Sequence, residues 1–135
     1  MSAASNYLEN KVLDHTLGTT AYTMPTAVYL GLFTNASTNA SSNLEAGVLT
    51  DEVSGGSYAR QTIAFSAASG GNATNSGTVT FTTATADWGT VTHVAIMDAA
   101  SGGNVLYYGA VTTSKVILTG DTFQVSAGNL TITLA

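Results

Sequence analysis

The strongest constraint on this chain is the strict alternation of threonine with large apolar side chains. In Thr78-Val79-Thr80-Phe81-Thr82, extended geometry puts Val79 and Phe81 on one face and three threonines on the other. In the last segment Leu130, Ile132 and Leu134 share a face against Thr131 and Thr133. Threonine is β-branched and stiff at χ1, so the pattern suits a pleated surface and opposes helix. Ser-Gly-Gly triplets at 54–56, 69–71 and 101–103 punctuate these segments. Glycine reaches positive φ without a Cβ penalty, so the triplets read as turns. None has the Gly-x-Gly-x-x-Gly or lysine-terminated spacing of a phosphate loop.

Pro25 cannot join a ladder, so a first strand is expected just after it, over Ala27 to Phe33. Its nearly continuous apolar run predicts burial on both faces. Further strands are expected at Tyr58 to Phe65, Thr78 to Thr83, Thr90 to Met97, Val105 to Val111, Lys115 to Leu118, Thr122 to Ser126 and Leu130 to Leu134. One segment has helical spacing: Leu8, Val12, Leu13 and Leu17 form a stripe, with Ser5 as N-cap and Gly18 as stop, which predicts a helix over 5–17. Residues 34–56 are Asn/Ser/Thr-rich and aperiodic, and read as a long loop, the expected contact or flexible region. The expected fold is all-β: a single antiparallel β-sandwich domain over 1–135, jelly-roll-like, with one short N-terminal α-helix.

Charge excludes several functions. The 135 residues carry 3 basic and 8 acidic side chains, a net charge of -5 and 8% charged residues, where soluble domains average roughly 25%. No basic stripe is available for nucleic acid. With no cysteine there is no disulfide framework, thiolate metal site or thiol nucleophile. No apolar run is long enough for a membrane helix, and the start lacks a secretory signal, so use without Sec export is expected.

Catalytic constellations are hard to assemble. Asp14 and His15 are adjacent on the helix and do not face each other. His93 and Asp98 are an odd number of positions apart and point to opposite faces in one strand. No Gly-x-Ser-x-Gly elbow presents a serine. Asp51 and Glu52 point apart in extended chain, and Glu45, Asp51 and Glu52 lack a calcium-loop spacing, so solvated loop charges are expected. Four Asn-x-Ser/Thr sequons follow from composition, with nothing pointing to export. Trp88 reads as a core or sandwich-edge plug. Tyr58 and Arg60, the sole arginine, share a strand face. Such a pair either anchors an interface or stacks arginine on its own tyrosine at the surface.

Monomeric β proteins normally guard their edge strands with charge or proline. With Arg60 and Lys115 the only basic residues after the helix, edges left unguarded predict a symmetric oligomer or a larger assembly.

Several segments together resemble a family of small virion proteins of tailed bacteriophages, often labelled tail-fibre-like and including capsid decoration or cement proteins. They are Asn6-Tyr-Leu-Glu-Asn-Lys-Val-Leu-Asp-His15, Thr26-Ala-Val-Tyr-Leu-Gly-Leu-Phe33, Gly56-Ser-Tyr-Ala-Arg60, Trp88-Gly-Thr-Val-Thr-His-Val-Ala-Ile-Met-Asp98, Gly103-Asn-Val-Leu-Tyr-Tyr-Gly-Ala110 and Gly120-Asp121 onward. The resemblance implies a non-enzymatic subunit without cofactor or metal, made in the bacterial host cytoplasm and bound to the exterior of the virion head. There it would bind the major capsid protein and copies of itself, a trimer ahead of a dimer. A tail or tail-fibre component in host attachment is the alternative. The positions it marks as possible contacts are Tyr58, Arg60, Trp88, His93 and Asp98.

Overall fold

A computed structural model describes residues 2–134. In chain order the elements are β1 (Ala3–Ala4), α1 (Asn6–Thr16), β2 (Val28–Phe33), α2 (Ala40–Glu45), β3 (Gln61–Ile63), β4 (Asn72–Thr74), β5 (Val79–Thr80), β6 (Gly89–Met97), β7 (Val105–Ile117), β8 (Gln124–Val125) and β9 (Thr131–Thr133). The fold is all-β and antiparallel, a sandwich. One layer is a five-stranded sheet in the order β1-β7-β6-β2-β3; β4-β9 and β5-β8 form two small ladders.

The helix forms as its caps dictate. Ser5 is the N-cap, its side chain accepting from the Leu8 amide, and its hydroxyl also donates to the Val105 carbonyl of β7. Gly18, at φ +80°, follows the C-cap Leu17, and the Thr19 amide returns to the Asp14 carbonyl, the glycine-ended closure that a helix C-terminus favours. Leu8 is buried against the main core in the same chain, with Tyr7 and Val12 beside it. Because Ser5 is fully buried and caps the helix while tying it to β7, Ser5→Ala is expected to cost about 1–2 kcal/mol. Urea unfolding reads this directly; a loss under about 0.3 kcal/mol would show that water replaces the cap.

The apolar run of β2 is buried on both faces of the sheet. Leu30 and Leu32 face the main core with Val91, Ile96, Leu106 and Ile117, closed by Trp88 at the entry to β6 and by Val79, Phe81 and Phe123 from the second layer. Phe33 faces the other way, into a smaller core with Ala95, Met97 and Val105. Leu44 of α2 covers this second core. The segment expected as a long loop therefore contains a helical turn and forms a strap. It leaves β2 and returns to it, its ends meeting where the Thr34 amide donates to the Asp51 carbonyl at 2.9 Å.

Other differences also have local causes. Residues 105–111 and 115–118, expected as two strands, are one strand, β7, because tertiary pairing with β6 carries the chain through the apolar-poor Thr112-Thr-Ser114. Residues Asn72–Thr74, with no alternation, become β4 by pairing with β9. Tyr58 to Arg60, expected in a strand, precede β3, and the last strands are shorter than their sequence runs.

Brevity and irregularity limit part of the edge, although β1 covers only Tyr107 and Tyr108 and, among the described residues, the rest of β7 runs free along that side. β1 and β3 present two and three residues. In β6, Val91 and His93 face Lys115 and Ala110 of β7, so the longer strand bulges out between them and carries exposed Lys115. A bulge and a lysine both discourage edge-to-edge pairing.

Candidate functional site

Four of the five sequence-marked residues meet at one place. Arg60, just before β3, is buried, with 2% of its side chain exposed. Its Nε and Nη2 donate to Glu52 Oε2 and Oε1, both at 2.7 Å, a bidentate pair. Its Nη1 donates to the Ala99 and Gly102 carbonyls, each at 2.8 Å. One guanidinium thus joins the returning end of the strap to the turn between β6 and β7. A planar fork of five donors can do this; an ammonium cannot.

Asp98 closes that same turn from the other side, accepting from the Asn104 amide at 2.7 Å and from its side-chain amide at 2.9 Å. Gly103, at φ +71°, leaves room for the carboxylate, since a Cβ there would lie 2.5 Å from Asp98 Oδ1. Tyr58 donates to Glu52 Oε2 at 2.8 Å and accepts from the Leu32 amide at 3.0 Å. Burial, with the Glu52 carboxylate beside it, pushes the Tyr58 phenol far above its usual range. Trp88 meets the Tyr58 ring edge-on at 5.5 Å and donates to the Gly56 carbonyl at 2.9 Å, the core plug its sequence context suggested.

The solvated reading of the loop carboxylates, and the reading of Arg60 as a surface arginine, are corrected here. Glu52 is engaged by Arg60 and Tyr58. Asp51 is buried and accepts from the Ser37 amide at 3.0 Å and hydroxyl at 2.5 Å, and the hydroxyl bond holds its carboxyl below the usual 3.8. Glu45 accepts from Tyr108 of β7. Asp51 and Glu52 do point apart, as expected. Glu52 pairs with Tyr58 and Arg60 only six and eight residues on, but across an aperiodic turn with no helical or strand spacing to signal it. Asn75 was missed because its partners are far along the chain: buried between the small ladders, it accepts from the Leu130 amide and donates to the Ser126 carbonyl, and also to the nearby Gly77 carbonyl.

His93 stands apart, on the opposite face of the sheet under α2. Its Nε2 lies 3.0 Å from Ser41 Oγ and its Nδ1 2.8 Å from Thr92 Oγ1. Burial lowers its proton affinity, and the nearby Asp51 charge partly opposes that.

Chemically, the Arg60 cluster is a clamp. Among the described residues every buried side-chain polar atom has a partner, and no three metal-ligating side chains converge. No described helix is long and apolar enough to cross a membrane. What faces outward is low in charge: Leu13, Leu17 and Met24 are exposed, and an apolar groove of about 340 Å³ between the main sheet and β8-β9 is lined by Val94, Ile96, Phe123, Val125, Leu130 and Ile132.

A family model described as Podophage GP4 fiber I protein gp80 matches residues 3–133. No curated protein matches the chain.

Proposed function

We propose, on the premise that this chain belongs to the podophage GP4 fiber I protein gp80 family, that it is a non-catalytic building subunit of the fibre apparatus of a tailed-phage virion. The observation that carries this is the family match over 3–133, which takes in the clamp, the strap and both layers of the sandwich. A phage structural protein needs a rigid scaffold, and a fully satisfied polar clamp within a two-layer core is a means to one. The resemblance read from sequence segments put decoration of the head first. The family description names a fiber protein, and fibre attachment takes its place ahead of binding to the major capsid protein.

In this reading copies of the chain work together, a trimer ahead of a dimer, and weak contacts repeated around a symmetric assembly supply avidity without one strong site. The outward apolar side chains and the scarcity of charge suit such contacts. Tyr58, Arg60, Trp88 and Asp98 support them indirectly, by holding the surface in shape. Electron cryomicroscopy of virions labelled with an antibody fragment against the chain tests the placement. Label on the fibres or tail is expected, whereas label repeating over the head lattice would replace the fibre reading with decoration. Light scattering on the purified chain tests the self-association separately.

A further inference from the structure

The strap over residues 34–53 covers an apolar face of the sheet formed by Phe33, Ala95, Met97 and Val105. Its middle is fastened by Leu44, with Leu49 packed beside it and Ala40 buried, and by a few polar ties, while its returning end is anchored separately by Val53 in the main core and by the Arg60–Glu52 pair. Ser41 of α2 reaches His93 of β6 at 3.0 Å, Glu45 reaches Tyr108 of β7, and Asp51 holds Ser37 within the strap. The Ser41 tie differs from the rest, because its sheet-side partner is a buried imidazole, the side-chain type whose unperturbed proton exchange lies nearest neutral pH.

We propose that the strap is a pH-sensitive cover, released from the sheet when His93 takes up a proton. In the closed form the neutral ring offers one nitrogen as acceptor and one as donor, and the Ser41 and Thr92 hydroxyls complement both. A doubly protonated ring keeps both hydroxyls as acceptors, but it must hold a charge in a buried site beside Phe33, its pair partner on β2, and that charge is what opposes closure. The groups facing the ring are Ser41 and Asp51 from the strap and Thr92 from β6. Asp51 is the one carboxylate among these and attracts the cation, yet burial outweighs it and lowers the histidine's proton affinity. Glu45 is occupied by Tyr108 and Glu52 by Arg60.

The sign follows from linkage. A histidine whose affinity for protons falls on strap closure stabilises the closed form fully above its ordinary pKa of 6.5, and that contribution is lost as pH falls through the depressed value. Asp51 acts lower: its contribution is complete above 3.8 and fades only as acidification passes its own depressed pKa. The two steps are therefore separable on the pH axis.

Hydrogen exchange, corrected for intrinsic rates, measures the opening at the Asn43, Ala46 and Val48 amides, all hydrogen-bonded inside the strap. Between about pH 7.5 and pH 5.5 their protection is expected to fall by up to about tenfold, because only about one pH unit of that window lies below the ordinary histidine pKa, while β6 and β7 amides hold theirs. His93→Gln should remove the pH step, and His15→Gln, at the exposed end of α1, should leave it intact. A step of equal size in His93→Gln, or no step in the wild-type chain, overturns the proposal. Should His93→Gln fail to fold, nuclear magnetic resonance of the wild-type chain decides. Strap amides that shift with the His93 midpoint support the cover, and strap amides unmoved as His93 titrates overturn it.

Discussion

Arg60→Ala is expected to lower the melting temperature by roughly 10–15 °C, the counterpart of about 3–5 kcal/mol for breaking a buried ion pair from one side. The reason is what the missing guanidinium leaves behind. Glu52 keeps its charge in a site where 17% of the side chain is exposed, with Tyr58 as its remaining donor. The Ala99 and Gly102 carbonyls lose their shared donor at the β6–β7 turn. Arg60→Lys should recover only part of the loss, since an ammonium cannot hold both carboxylate oxygens and both carbonyls together. Removing both charges, as Arg60→Met with Glu52→Leu, should cost less than Arg60→Ala alone, because no unpaired charge then remains. Thermal denaturation followed by circular dichroism provides the comparison. A shift of only 1–2 °C for Arg60→Ala (on the order of the exposed-pair range) would mean that the pair is solvated and the clamp does not hold the fold.

Phe33→Ala tests the second core and is expected to cost about 3–5 kcal/mol. Phe33 is fully buried, as are Met97 and Val105 around it, and Leu44 of the strap lies over them. If the second face of the sheet were a wet surface under a loose loop, truncating Phe33 would be nearly neutral. With the strap docked, the substitution opens a cavity between two layers and removes the surface on which α2 rests. Urea unfolding should show the loss, and hydrogen exchange should show strap amides losing protection first. A ΔΔG below about 1 kcal/mol, with strap protection unchanged, would contradict the two-sided core.

How much of this was legible beforehand depends on the range of the signal. The α1 boundaries follow from Ser5 and Gly18, whose capping acts within one helical turn, and the structure places the helix at 6–16 against the expected 5–17. The turns follow from the Ser-Gly-Gly triplets, and both glycines of each triplet adopt positive φ. Burial of β2 on both faces was readable from Val28 to Phe33, though not what lies over the second face. The polar and aperiodic sequence from Thr34 gave no hint that Leu44 would dock. The candidate residues were picked out singly, and it was not readable that Tyr58 and Arg60 share Glu52, that Trp88 packs on Tyr58, and that Arg60 and Asp98 hold the same turn, because the contacts run between residues as far apart as Arg60 and Gly102. The carboxylates were misread most completely. A charge on an aperiodic segment looks solvated until the fold brings a donor against it, whether from eight residues on, as with Arg60 and Glu52, or from across the chain, as with Tyr108 and Glu45.

By itself, then, the sequence determined the class of structure: alternating threonine and aliphatic residues, glycine-rich turns and one capped helix leave an antiparallel all-β sandwich as the arrangement that buries the apolar faces. These are properties of neighbouring residues and need no fold to be read. Tertiary structure alone decided that a polar loop becomes a cover, that a lone arginine becomes a buried clamp, and that His93 lies beneath Ser41. Each depends on chain segments brought together from tens of residues apart, where burial changes the strength of an ion pair and the proton affinity of an imidazole.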